Sequence, residues 1–376
     1  MMLRAYIVDD EPPARVRLRQ LLAEAGDVVV VGEAADAIEA RSGIAETQPD
    51  VVFLDIEMPQ MSGTALAGSL PEPRPFIVFA TAFDRYALDA FAVDATDYLV
   101  KPITRARLGG TLTRVRERLS RRSDIERDLA AASVAQTMLL PRTLPTINGY
   151  ESSALTLPAR GVGGDFFVAQ QIAPYRLVVA LGDVSGKGMP AGLVASSLQA
   201  RLETAARHAS GSAGDIVSDV NKALFQTSDA ARFATLAYVD LDLANHQTTI
   251  VNAGHLPAIV IQAGHAPTFL PSTGPALGIL PNASFGARSF TLAEGASLVL
   301  YSDGVTEAFD QNGDEFGESR LVDVITGNGA ARAAELCQAV MDARQYHARH
   351  TLASDDVTVL VVKRTRGIPA TEAHAD

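Results

Sequence analysis

The stretch Leu177–Gly188, LVVALGDVSGKG, decides how the larger part of this chain folds. Leu177 to Leu181 is an unbroken apolar run of strand length, which predicts a buried strand. It breaks into Gly182-Asp183 and a glycine-rich turn. Met189-Pro190 then opens an apolar-periodic helix in which Leu193, Val194, Leu198 and Leu202 recur at helical spacing. Proline suits that first turn, where a missing N–H loses no intrahelical bond. An acidic side chain is thereby held at a strand end between two rigid elements. The turn is not a Walker A loop, which needs four residues between its first glycine and Gly-Lys, then Ser or Thr. Here three residues separate Gly182 from Gly186, and Gly188 follows Lys187. The Asp183 carboxylate is the informative group, and the question is what it pairs with.

Working outward, 376 residues suffice for two ordinary domains and a connector. Apolar residues make up 47% of the chain, enough for packed cores. No apolar run reaches the roughly 18–20 residues needed to span a bilayer. The N-terminus enters directly into an alternating apolar strand without a signal-peptide pattern. A cytoplasmic protein with no membrane partner is the expectation. The single cysteine, Cys337, excludes an intrachain disulfide framework and a cysteine-based zinc site. A net charge of −12 argues against nucleic acid as a partner and suits cations or proteins.

From the N-terminus, Leu3–Val8 reads as a strand ending in Asp9-Asp10-Glu11, and a helix follows from Pro12 to Ala25. Strands at 28–31, 51–54, 76–80 and 98–100 alternate with helices at 36–47 and 85–93. That order predicts a parallel doubly wound sheet. Nearly continuous apolar strands fit a sheet covered on both faces. Asp9, Asp10, Asp55, Thr81 and Lys101 all fall at C-terminal strand ends, which border the ligand crevice of an open α/β sheet. Crowded carboxylates there call for a cation, and oxygen ligands suit Mg²⁺. Lys101, one of four lysines in an arginine-rich chain, can pair with an anion. Asp55 is then placed to take a phosphoryl group, with Thr81 bonding a phosphoryl oxygen.

The motifs VDDE at 8–11, FLDIEMP at 53–59, ATAF at 80–83 and DYLVKPI at 97–103 resemble the response-regulator receiver domain, over residues 1 to about 120. The resemblance implies a flavodoxin-like fold with Asp55 as phosphoacceptor and a sensor histidine kinase as partner. It implies that Asp10 ligates Mg²⁺ directly, Asp9 mostly through water, Asp55 itself, and Glu57 through its backbone carbonyl. Thr81 and Tyr98 take the place of the switch pair and Lys101 that of the phosphate partner. A cis Lys101–Pro102 bond is expected.

A helical pattern then runs from about Thr104 to Leu140. Leu108, Leu112, Val115 and Leu119 alternate steps of four and three, the spacing of a coiled-coil seam. The seam weakens at Arg121-Arg122 and resumes through Ile125, Leu129, Ala132, Gln136 and Leu139. Either a homodimer interface or a stripe on the following domain fits it, and the dimer is favoured. The arginines at 114–122 read better as a solvated helix face than as a nucleic-acid patch. Residues 121–147 are read as a linker, 148–365 as a second domain and 366–376 as a flexible tail.

The second domain shows strand patterns at 150–157, 166–172, 176–181, 234–240, 247–252, 258–262, 297–301 and 357–362, mostly joined by short turns. Antiparallel sheets are expected, flanked by helices at 190–208, 213–226, 318–326 and 330–347. Asp165, Asp183, Asp303 and Asp355 stand at the ends of these strands. Singly each suits a turn. Together they are an all-oxygen set that favours Mg²⁺ or Mn²⁺ over zinc. Two such metals can acidify a shared water and clamp a phosphoryl group.

Residues 133–363 resemble a metal-dependent serine/threonine protein phosphatase of the PPM class, in its SpoIIE/RsbU branch. The segments that carry this are AQTMLLPRTLP at 135–145, GVGGDFF at 161–167, GDVSGKGMPAGL at 182–193, FATLAYVDLD at 233–242, VNAGHLPAIV at 251–260, TGPALGI at 273–279, LVLYSDGVTEAFD at 298–310 and SDDVTVLVV at 354–362. The resemblance implies an α/β/β/α antiparallel sandwich and two Mn²⁺ or Mg²⁺ ions. Asp183 would bridge the metals and Val184 would offer its carbonyl. Asp303 and Asp355 would complete one metal site, and Asp165 would serve the other or its water shell. Asp356 is expected to support the loop. Many relatives carry another acid where this chain has Val168. His255 is either a general acid or a loop-structuring residue, Lys187 either a phosphate contact or a turn residue, and His347 and His350 are read as surface residues.

Receiver and phosphatase together imply a response regulator whose Asp55 phosphorylation controls dephosphorylation of a STAS-type anti-sigma-factor antagonist in partner switching. The rival reading is a non-catalytic adaptor that binds a sigma or anti-sigma regulator through a phosphatase-like domain. The intact acid set favours the enzyme.

Overall fold

A computed structural model describes residues 2–82, 95–141, 144–159, 161–208, 211–227, 232–351 and 355–367. They fall into two compact units, Met1–Arg127 and Asp128–Asp376. In the first, the strands β1 (Leu3–Val8), β2 (Val28–Ala34), β3 (Val51–Leu54), β4 (Phe76–Thr81) and β5 (Asp97–Val100) are all parallel, in the order β2-β1-β3-β4-β5. The helices are α1 (Pro12–Glu24), α2 (Ala37–Thr47), α3 (Gly63–Ser69) and the start of α4 (Arg105–Leu139). Side chains alternate across the sheet with period two. Leu3, Ala5 and Ile7 join Leu18, Leu22 and Leu108 on one face. Tyr6 and Val8 join Ala40, Ile44 and Leu66 on the other. The expected doubly wound sheet is therefore present.

Three readings change. β2 continues to Ala34 because Gly32, Glu33 and Ala34 keep pairing with Tyr6, Ile7 and Val8. The short helix α3 was not expected, since GTALAGS has weak helical propensity; Ser62 caps it by accepting from the Ala65 N–H. The seam over 108–119 is not a dimer seam. Leu108, Leu112 and Val115 are buried in the core of the first unit with Leu119 packed beside them, and full burial of each stabilises that unit by about 1.5–3 kcal/mol. α4 runs unbroken through Arg121-Arg122. Beyond that point Ile125, Val134 and Met138 are more than half exposed. The helix expected at 85–93 lies outside the described residues, as does most of the expected tail.

The second unit holds two five-stranded antiparallel sheets. One contains β7 (Asp165–Ala173), β8 (Arg176–Val184), β9 (Ala234–Asp242), β10 (Gln247–Ala253) and β13 (Arg288–Thr291), ordered β13-β10-β9-β8-β7. The other contains β6 (Tyr150–Leu157), β11 (Ala258–Ile261), β12 (Thr268–Leu270), β14 (Ser297–Tyr301) and β15 (Val357–Arg364), ordered β12-β11-β14-β15-β6. The helices are α5 (Met189–His208), α6 (Ala213–Thr227), α7 (Asp303–Thr306), α8 (Gly317–Gly327) and α9 (Ala333–His347).

Leu177, Val179 and Leu181 meet Leu298, Leu300, Leu360 and Val362 in the core between the sheets. The alternate residues Val178 and Ala180 pack with Leu198, Leu202 and Val217 of α5 and α6. Val299, Val359 and Val361 pack with Leu321, Leu336 and Val340 of α8 and α9. This is the expected α/β/β/α sandwich, and it explains the unbroken run at 177–181: the strand is covered on both faces. β12, β13 and α7, each of three or four residues, escaped the pattern reading. α9 starts at Ala333 rather than near Ala330, because the Glu335 carboxylate accepts from the Arg332 N–H there. Among the described residues, no helix is long and apolar enough to cross a membrane.

Candidate functional site

In the first unit, Asp9 and Asp10 follow β1, Asp55 follows β3, Thr81 ends β4 and Lys101 follows β5. Adjacent parallel strands thus deliver them to one edge. One carboxylate oxygen from each of Asp9, Asp10 and Asp55 lies within 4.8 Å of the others. Lys101 Nζ is 2.7 Å from Oδ2 of both Asp9 and Asp55. Burial raises the Asp9 pKa, opposed chiefly by the hydrogen bond from Lys101. Burial works against the Lys101 charge, but its bonds to Asp55 and Asp9 carry the net shift upward. Asp55 Oδ1 accepts from the Glu57 N–H at 3.3 Å, and the Lys101 N–H donates to the Thr81 carbonyl at 2.9 Å. The buried Thr81 hydroxyl has no partner among the described residues. A cavity of about 510 Å³ lined by Asp10, Glu57 and Thr64 opens beside them. The donors fit a hard divalent cation. Lys101–Pro102 is cis.

In the second unit, β8 extends to Val184 rather than stopping at Leu181. Asp183 is therefore a strand residue, paired in register with Asp165 on β7 and Thr235 on β9. By strand alternation both aspartates share the inter-sheet side with Leu181 and Phe167. Val168 lies on the opposite side, packed with Val178 and Leu198. Asp303 opens α7 immediately after β14, and Asp355 leads into β15 beside it. Each sheet supplies two acids.

These four are spread more widely than the acids of the first unit. Among the described residues no three of them bring carboxylate oxygens within 4.8 Å of one another. They still act on each other electrically. Burial first, then the charges of Asp303, Asp355 and Asp356, push Asp183 up to about 7. Burial and then Asp183 hold Asp165 well above the ordinary carboxylate range. Burial and then Asp355 raise Asp303. All-oxygen donors that repel one another fit Mg²⁺ or Mn²⁺.

Besides Asp356, which supports the loop as expected, several supporting groups were invisible in the sequence. Thr358 Oγ1 donates to Asp165 Oδ2 at 2.6 Å and lies 2.9 Å from Thr156 Oγ1. Ser302 Oγ accepts from the Thr358 N–H. Asp356 accepts from the Ala159 and Gly164 N–H groups, at 2.8 and 2.5 Å, which ties the 159–164 loop to β15. Gln136 of α4 grips the same loop twice, donating to the Gly163 carbonyl at 2.7 Å and accepting from its N–H at 2.9 Å. Its polarity on an apolar helix stripe was the one available signal. A Cβ at 164 would stand 2.7 Å from the Val184 carbonyl, and one at 304 would stand 2.1 Å from the Asp356 carbonyl. Glycine at both positions is what lets the acid-bearing loops close on each other.

His255 Nδ1 lies 2.7 Å from Thr235 Oγ1, and burial drives the imidazole down to about 4. It is neutral at pH 7 and braces the strand next to Asp183. Lys187 Nζ is 2.8 Å from Asp355 Oδ2. His350 is exposed, but His347 is half-buried edge-on against Phe316 and is not a simple surface residue.

Two such sites on two such folds define a response-regulator receiver joined to a PPM-type phosphatase domain. Residues 5–113 match the response regulator receiver domain, and residues 173–365 match stage II sporulation protein E (SpoIIE). The chain belongs to the SpoIIE family. The transcriptional regulatory protein BtsR of Escherichia coli K12 is 51% identical over 121 residues, which cover 32% of this chain and 51% of BtsR. The chain thus spans about half the length of the curated relatives it matches. The RsbU and RsbW domains of a Mycobacterium tuberculosis protein share 27% identity at a TM-score of 0.53, covering 61% of this chain and 64% of that one. The SiaA-PP2C domain of Pseudomonas aeruginosa shares the fold, with 22% identity and a TM-score of 0.58 over 65% of this chain and 98% of its own.

Proposed function

We propose that phosphorylation of Asp55 controls a metal-dependent phosphoserine/phosphothreonine protein phosphatase in the second unit. The supporting observation is the set Asp165, Asp183, Asp303 and Asp355, two from each sheet, in which burial and the charges of neighbouring acids raise the pKa of Asp165, Asp183 and Asp303. Those four and the Val184 carbonyl would hold two Mn²⁺ or Mg²⁺ ions. When bound, the ions acidify water and polarise the phosphoryl group. The chain's own part is to aim the acids. Thr358 fixes Asp165, Asp356 ties down the 159–164 loop, and the strand pairing of Asp165 with Asp183 sets their separation.

In the receiver, Asp9, Asp10, Asp55 and the Glu57 carbonyl would hold Mg²⁺, with a sensor histidine kinase as phosphodonor. Thr81 and Lys101 would meet the phosphoryl oxygens and Tyr98 would report the change. The domains run from 1 to 120 and from 148 to 365, with the linker at 121–147 between them. A homodimer would use the exposed face of α4 around Val134 and Met138. The substrate we favour is a phosphorylated STAS-type anti-sigma-factor antagonist in a cytoplasmic partner-switching pathway. The test is phosphate release from such a phosphoprotein by the full chain with Mn²⁺, with and without an acyl-phosphate mimic. Release by the wild type that Asp183→Asn abolishes is expected. No release by the wild type, or equal release by the variant, would remove the proposal in favour of a binding-only role.

A further inference from the structure

Lys187 stands where the acid set needs a cation. It lies in the turn that follows Asp183, and its Nζ reaches Asp355 Oδ2 at 2.8 Å. The other oxygen of that carboxylate, Oδ1, already accepts from the Asp356 N–H at 3.0 Å. Both oxygens of Asp355 are therefore engaged within the chain. The Lys187 charge also acts on Asp183 and Asp303, opposing the upward push of their neighbours. One ammonium thus faces three of the four acids. The turn around it is open. Gly186 and Gly188, on either side, have φ of +96° and +75°, and nothing lies within 4 Å of where their Cβ atoms would be. Lys187 itself is about half exposed.

We propose that Lys187 is a built-in competitor for the metal site: its ammonium partly neutralises the acids, and a divalent cation on Asp355 binds against its repulsion or displaces it. The inference rests on the phosphatase reading of the four acids. An ammonium 2.8 Å from Asp355 Oδ2 opposes a divalent cation on the same carboxylate, because it takes up lone pairs and like charges repel at that distance. The ion pair holds mutually repelling carboxylates together without metal, and it sets a threshold that metal must exceed. Unlike a rigid cage, the glycine-flanked turn lets the side chain swing out without disturbing the sheets. Arginine would keep the charge, whereas methionine keeps the stem and removes it.

The test uses the full chain and Mn²⁺ binding followed by electron paramagnetic resonance, with thermal melting in chelator as a second readout. Asp183→Asn identifies the part of the binding that belongs to this site. Lys187→Met is expected to tighten that part about tenfold and to lower the melting temperature only in chelator. Lys187→Arg is expected to stay within about threefold of the wild type. Binding that is sensitive to Asp183→Asn but equal or weaker in Lys187→Met overturns the competitor role alone. Binding untouched by Asp183→Asn overturns the metal reading, and the competitor role with it.

Discussion

Lys101 Nζ and Asp55 Oδ2 stand 2.7 Å apart, while the other Asp55 oxygen accepts from the Glu57 N–H. The same ammonium is 2.7 Å from Asp9 Oδ2, so Asp55 is linked to both a cation and the acid cluster. A phosphoryl group on Asp55 would meet Lys101 on one side and, on another, the Thr81 hydroxyl, which has no partner among the described residues. A small acyl-phosphate donor with Mg²⁺ is therefore expected to label Asp55 and no other acid. Peptide mapping of the trapped aspartyl phosphate checks this. Label that persists in Asp55→Ala would place the acceptor elsewhere.

Replacing Asp183, which feels the charges of Asp303, Asp355 and Asp356, should be the most damaging change to turnover. Asp183→Asn keeps the shape of a strand residue but gives up its anionic oxygen. Losing a mere supporting group costs a metal site roughly 10–100-fold, so the loss here is expected to exceed about 100-fold. Thr358→Val, which removes the hydroxyl's contacts with Asp165 and Thr156, should fall within the 10–100-fold range. Circular dichroism of both variants should match the wild type. Full turnover by Asp183→Asn on a phosphoserine protein would contradict the assignment.

His255 gives the second unit an acid-sensitive term of definite sign. Burial lowers its pKa from 6.5 to about 4, so between those values the unfolded chain binds a proton that the folded chain refuses. This contribution is fully present above pH 6.5 and is lost as pH falls toward 4. A shift of about 2.5 units corresponds to roughly 3 kcal/mol. Denaturant melts in chelator at pH 7 and pH 4 should show the wild type losing about that much more stability than His255→Asn. Equal losses in the two proteins would mean that the imidazole does not titrate as its burial implies.

The runs at 3–8, 51–54 and 177–181 were legible as strands because each is covered on both faces, which leaves little polar interruption to confuse the reading. The acids that follow them were legible as a set rather than singly, since one carboxylate past a strand also suits a turn. The seam at 108–119 was misread because the repeat is the same whether a helix packs on a partner or on its own sheet. Leu108 and Leu112 prove to be core residues of the first unit. Asp355 and Asp356 were distinguished by resemblance, and their long-range partners give the physical reason. Asp356 spends its oxygens on Ala159 and Gly164, which lie 197 and 192 residues away. Thr358 and Ser302 escaped notice because their hydroxyls acquire a role only when β15 and β14 lie side by side.

The last prediction concerns how one half could reach the other. α4 begins four residues after Lys101, and near its end Gln136 makes two hydrogen bonds to Gly163. The next residue, Gly164, is bonded to Asp356 and precedes Asp165. A rotation or shift of α4 therefore acts on the backbone that carries an acid of the site. Regulation needs only two helix arrangements of similar energy, one of them favoured by phosphorylation. Gln136→Ala should leave Asp55 labelling unchanged and the fold intact, because each lost hydrogen bond costs only about 1 kcal/mol. It should nevertheless slow phosphatase turnover and abolish its response to an acyl-phosphate mimic. A Gly-Ser segment inserted at Arg121-Arg122 should spare basal turnover and remove the response alone. The measurement is phosphate release with and without the mimic in the wild type and both variants. A full response in the interrupted protein would mean that the signal bypasses the helix.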